Sequence, residues 1–88
     1  MVKTTRVSAK SDPRMVAGYI ANHIDIKDPV EIIVIGAAAL NQAIKGITIA
    51  GLYLGESVYC EPMFTKICLD EREVTAIKLI VSLATKVA

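Results

Sequence analysis

Val30-Glu31-Ile32-Ile33-Val34-Ile35-Gly36-Ala37 is the stretch on which the fold turns. Apart from Glu31, its first six residues are Val or Ile, so apolar side chains fall on both faces of any strand built from them. A half-covered strand alternates apolar with polar residues, whereas this pattern belongs to a central strand. Gly36 makes a turn, and the Ala-rich run behind it predicts a long helix over about Ala38 to Leu54, with Gly55 as a natural stop. A buried strand feeding straight into a helix sets the order of everything on either side.

Upstream, Lys3 to Ser8 alternates Lys3, Thr5 and Val7 with Thr4, Arg6 and Ser8. That is a short strand with a polar face, suited to a sheet edge. Ser8-Ala9-Lys10-Ser11 reads as a loop. Asp12-Pro13 then supplies a capping side chain and a proline at the first helical position. The helix is expected over Pro13 to Asp25, with Met15, Val16, Tyr19, Ile20, His23 and Ile24 on its inward face. Arg14, Gly18, Ala21, Asn22 and Asp25 fall on the other side. Lys27-Asp28-Pro29 closes the unit, because the residue before a proline avoids helical angles.

Downstream, Val58 to Leu69 and Val74 to Leu83 form a hairpin around Asp70-Glu71-Arg72-Glu73. Pro62 has no N–H to give to a ladder, which places its strand at an edge. Ile77, Leu79, Val81 and Leu83 alternate with Ala76, Lys78, Ile80 and Ser82, apolar enough on both faces for an interior strand. The tail Ala84–Ala88 is expected to fray. The order is therefore β-α-β-α-β-β, a single α/β domain over residues 1–88 of the two-layer α+β sandwich kind. Right-handed crossovers put both helices on one face of a four-stranded mixed sheet. Its second and fourth strands lie inside, its first and third outside.

Bulk properties narrow the function. The chain has 88 residues, of which 53% are hydrophobic, and a mean hydropathy of +0.50. So short a domain buries only roughly 60–65% of its extended-chain surface. A spare apolar face follows, and a dimer or tetramer of the chain is the expected way to cover it. Net charge is only +1, but it is polarised. Residues 1–14 carry Lys3, Arg6, Lys10 and Arg14 against Asp12, while residues 56–73 carry five acidic groups against Lys66 and Arg72. Cys60 and Cys68 stand eight residues apart on one strand, roughly 26 Å at ~3.3 Å per residue, too far to bridge or to share a metal. They read as thiols, and with no signal peptide read at the N-terminus the expected compartment is a reducing cytoplasm. From Ile32 to Gly55 only Lys45 is charged. Asn41, Gln42 and Lys45 at the middle argue against a membrane span, since a central Lys costs ~2.5–3.5 kcal/mol there.

No catalytic constellation, cofactor motif or metal-ligand spacing is present, so the expectation is a protein that is not an enzyme and needs no cofactor. His23, the single histidine, reads as a core or rim residue, because no sequence cue supplies it with a catalytic partner. Two loop-to-helix junctions carry a binding argument instead. The first, Ser8 to Arg14, gathers Lys10, Ser11 and Arg14 beside the N–H groups of a helix start, all donors suited to phosphate oxygens. An ordinary capped loop with solvated charges would look similar, and Asp12 repels phosphate. At the second junction Asn41, Gln42 and Lys45 stand in the opening turns of an otherwise apolar helix, Asn41 and Lys45 being i, i+4 neighbours. Parallel strands would carry both junctions to one rim. The small residues Ala39, Ala43, Gly46 and Ala50 fit either close packing on the first helix or a subunit interface.

Three motifs then point to a family. Val7-Ser8-Ala9-Lys10-Ser11 with Val16-Ala17-Gly18, Ile35-Gly36-Ala37 followed by Ala39-Leu40-Asn41-Gln42-Ala43, and Thr75-Ala76-Ile77-Lys78-Leu79-Ile80-Val81 resemble the stage V sporulation protein S family over nearly the whole chain. That family is similar in fold to the Alba proteins, dimeric chromatin and RNA binders. The resemblance implies dimers or higher oligomers and a role in regulating gene expression. It also implies nucleic-acid contacts from the loop holding Lys10, flanked by Ser11 and Arg14, and from Asn41, Gln42 and Lys45. Alba's paired lysines are reduced here to Lys10, and its long basic arm reads here as a short acidic turn. Ala38 stands where relatives often have glycine. The expected partners are thus nucleic acid, DNA or RNA, and further copies of the chain. The alternatives are a protein-interaction module using the apolar helix face, and a small-molecule sensor at the Gly36–Asn41 turn.

Overall fold

A computed structural model of the chain describes residues 2–83, so the expected fraying of Ala84–Ala88 lies outside the described residues. The elements run β1 (Lys3–Val7), α1 (Pro13–His23), β2 (Val30–Val34), α2 (Ala37–Leu54), β3 (Val58–Leu69) and β4 (Arg72–Leu83). The sheet order is β1-β2-β4-β3. β1 lies parallel to β2, and β4 is antiparallel to both β2 and β3. The order, the mixed pairing and the edge position of the Pro62 strand are those read from the sequence.

Parity along β2 decides where the core sits. Val30, Ile32 and Val34 are buried, and Leu79 and Val81 pair with Ile32 and Val30 on the same face. Val16, Ala17 and Ile20 of α1 and Ala39, Ala43, Ile47 and Ala50 of α2 join them in one cluster. Both helices therefore cover one face of the sheet. Glu31 and Ile33, of opposite parity, point away from them.

The small-residue stripe of α2 serves packing within the chain. Ala39, Ala43, Gly46 and Ala50 are all buried, and a Cβ at Gly46 would come within 2.5 Å of Val16 Cγ1 and 3.1 Å of the Pro13 carbonyl oxygen. This close approach also corrects the expected face of α1. With Val16 held against Gly46, Ala17 is turned in and fully buried in the core beside Val16 and Ile20, and Met15 is turned out to 74% exposure. His23 is exposed too, its Nδ1 2.8 Å from the Tyr19 carbonyl and its ring stacked on Tyr19.

The hairpin differs more. Its turn is the two residues Asp70 and Glu71, both at positive φ (49° and 65°), and Leu69 pairs with Arg72 across it. Arg72 and Glu73 thus belong to β4, not to the turn. Nor is the arm short. β2 reaches β4 only as far as Ile77, while the β3–β4 ladder continues for five more pairs, from Thr65↔Ala76 to Leu69↔Arg72. At ~3.3 Å per residue that is an arm of about 17 Å, and the molecule extends to 47 Å on its long axis. The expected acidic character does hold at the tip, in Asp70 and Glu71. Behind it Lys66 Nζ lies 3.2 Å from Glu73 Oε1. Among the described residues, no helix is long and apolar enough to cross a membrane.

Candidate nucleic-acid interface

Parallel pairing of β1 with β2 brings the two junctions to one end of the sheet. Val7 pairs with Val34, so the chain leaves both strands side by side, into the Ser8–Asp12 loop and into Gly36. The arm projects from this same end, because Ile77 is paired with Val34 and residues 72–76 continue beyond it.

The first junction is a tight turn braced by its own serines. The Ser11 N–H donates to the Ser8 carbonyl (3.1 Å), the Ser8 N–H to Ser11 Oγ (2.9 Å) and the Lys10 N–H to Ser8 Oγ (3.2 Å). Ser11 is therefore a brace for the turn that presents exposed Lys10. The start of α1 is equally occupied. Asp12 Oδ1 accepts from the Arg14 N–H (2.9 Å), and the Asp12 carbonyl accepts from Met15 and Val16 (3.0 and 3.1 Å). The helix-start amides expected to meet phosphate are already paired here, because the Asp cap satisfies them. What α1 offers outward is the Arg14 side chain, exposed, with its Nε 3.7 Å from Asp12 Oδ1.

The start of α2 is built differently. Gly36 caps it at φ 87° with no side-chain hydrogen bond, and Ala37 and Ala38 behind it are exposed. A positive φ suits glycine, which also leaves no side chain in front of the helix amides. Here, and not at α1, the backbone keeps donors turned toward solvent. Asn41 and Lys45 are exposed one turn apart. Gln42 is part-buried, and its Nε2 donates to the Ser11 carbonyl at 2.9 Å. It ties one junction to the other across 31 residues of sequence, so its amide is engaged in holding the site together.

Lys45 and Arg14 line a common groove of about 400 Å³ with Asp12, Pro13, Ile44, Thr48 and Ile49. Ser11 and Gln42 are thus bonded, Arg14 and Lys45 share a groove, and Lys10 and Asn41 stand exposed on the elements that join them. Ile49 is legible in the sequence as apolar surface of α2, but its place beside Ile44 as the apolar wall of this groove is not. Sequence reasoning also missed the reach of the arm, whose strand length was legible. Among the described residues, no group of His, Cys, Asp and Glu side chains is arranged to hold a metal ion. The Cys60 thiol, half-buried, is pushed above its ordinary value by desolvation. Against known families, the model for stage V sporulation protein S (SpoVS) matches residues 3–84.

Proposed function

The chain belongs to the stage V sporulation protein S family, and from that premise we propose that it is a non-enzymatic, sporulation-related regulator that binds nucleic acid as a homo-oligomer. Lys10, Arg14 and Lys45 are its phosphate-facing cations, and Asn41 and the open start of α2 add neutral donors. Ser11 and Gln42 hold these groups in place. The observation that carries this reading is the Gln42–Ser11 bond, which joins two junctions bearing three cations against the single carboxylate of Asp12. A phosphate chain needs several such donors at once, because each contact is weak in water and most of the gain comes from released counterions. Two or more copies multiply the contacts, which a single chain of net charge +1 supplies sparingly.

The test is fluorescence anisotropy with duplex DNA and with single-stranded RNA, each over a range of salt. Log affinity is expected to fall linearly with log salt, at about −0.9 per phosphate neutralised on duplex DNA. Lys10→Ala should weaken binding and reduce that slope by about one phosphate. Binding that ignores both salt and Lys10 would defeat the proposal. One observation favours a second reading, a protein-docking module: Leu52 and Phe64 are 77% and 81% exposed. Failure to bind any nucleic acid at low salt would promote it.

A further inference from the structure

The face of the sheet turned away from the helices carries charge in an ordered pattern. Residues opposite each other in register share a face, and two adjacent rows run across all four strands there. In the order β1, β2, β4, β3 one row reads Arg6, Ile33, Lys78, Met63 and the next reads Thr4, Glu31, Ile80, Glu61. Two cations stand in the first row and two carboxylates in the second. The cations occupy the first and third strands across the sheet, and the carboxylates the second and fourth. Within one chain this relates Glu31 to Lys78, 4.0 Å apart, with Thr4 Oγ1 donating to Glu31 at 3.3 Å. Arg6 and Glu61 are exposed, and Ile33 and Ile80 are half-buried between the charged positions.

We propose that this open sheet face docks on the same face of a second copy, related by a two-fold axis perpendicular to the strands and lying between the two rows. Such an axis lays the cationic row of one copy over the anionic row of the other. Because the charges alternate by strand, they interleave in the order Arg6, Glu31 of the second copy, Lys78, Glu61 of the second copy. No like charges are brought together, and Ile33 and Ile80 fill the middle. Two sheets packed this way keep their strands within about 30° of each other, the aligned arrangement that twisted sheets favour. The four side chains sum to zero charge, so the face offers nothing to a polyanion but complements itself. Four strands ~4.8 Å apart and five residues at ~3.3 Å give a flat footprint of about 300 Å² per copy. That is well below the ~800 Å² of a standard interface, so the contact dissociates on dilution and in salt. The inference deepens the homo-oligomer half of the proposed function and rests on that half. It is independent of nucleic-acid binding.

Sedimentation equilibrium of the full chain at low salt tests it, with circular dichroism confirming that each variant is folded. Wild type is expected to exceed the 9.5 kDa of one chain. Arg6→Glu and Glu61→Lys should each lower the mass by a factor of two at the same concentration. Reversing all four charges (Arg6→Glu, Glu31→Lys, Glu61→Lys, Lys78→Glu) restores the alternation and should restore the mass, yet that chain should not mix with wild type. An oligomer whose mass ignores the single substitutions overturns the inference and leaves the oligomer standing on another face. Folded single variants that dissociate without recovery in the four-fold reversal also overturn it. A wild-type mass of 9.5 kDa overturns the inference and the oligomer together, while Lys10-dependent binding is still judged by its own salt titration.

Discussion

At the scale of single residues, this protein is held at a few points where one atom more or fewer decides the outcome. Gly46 is the sharpest. Val16 is β-branched and cannot swing its Cγ1 aside, and Pro13 presents backbone behind it. Gly46→Ala gains up to ~1 kcal/mol of helix propensity but overpacks the α1–α2 contact by ~1–3 kcal/mol. Because the neighbours at 2.5–3.1 Å are a stiff side chain and backbone, the cost lies in the upper part of that range. The expected result is a net loss of about 1–2 kcal/mol, read from the denaturant midpoint; an unchanged or raised midpoint would mean that the helices separate freely. The two cysteines differ in the same local way. Cys68 is exposed, whereas Cys60 is half-buried with its thiol pushed up by desolvation. Near pH 8, iodoacetamide should modify Cys68 first, with Cys60 following as pH rises through and above the ordinary thiol range, because the thiolate is the nucleophile. Mass spectrometry of partly labelled protein reads the order directly. Neither position was legible as special in the sequence, where Gly46 is one member of a small-residue stripe and the cysteines are two residues of one strand.

Elements show where local chemistry fixes structure and where it works against it. The Asp12-Pro13 start of α1 behaves as its residue types dictate, and Pro62 lies on the edge strand where its missing N–H does the least harm. The Asp70-Glu71 turn is the opposite case. Both residues sit at positive φ, a conformation costing roughly 1–2 kcal/mol each for most side chains and relieved by an Asn-Gly pair. The double substitution Asp70→Asn with Glu71→Gly should therefore stabilise the protein by about 1 kcal/mol, seen as a rise of several degrees in the melting temperature. A lower melting temperature would show that the turn is not the two-residue one. A sequence reading places four acidic and basic residues in this turn because none of the pairs among them is a strong two-residue turn signal. Only the Leu69↔Arg72 pairing reveals that two of them are strand.

For the whole molecule, the proposed function asks how a chain of net charge +1 would meet a polyanion and how its apolar surface would be covered. If copies associate, as proposed, the melting temperature should rise with protein concentration, since association stabilises the folded state by mass action. Scanning calorimetry over a hundredfold range of concentration checks this, and a concentration-independent midpoint speaks for a monomer. The order of elements, the strand order and the single core were all determined by the sequence alone, because parity, proline and caps act within a few residues of where they are written. Candidate cations at Lys10, Arg14 and Lys45 were legible for the same reason. Pairing of the α1 amides by Asp12 is local and was legible too, but which other groups stay available was decided only by the tertiary structure: Ser11 and Gln42 are engaged with each other's junction, and Met15 turns outward. Those outcomes depend on the register and close approach of segments distant in sequence, such as Ser11 with Gln42, Val16 with Gly46 and Ile33 with Lys78. No local pattern encodes such distances.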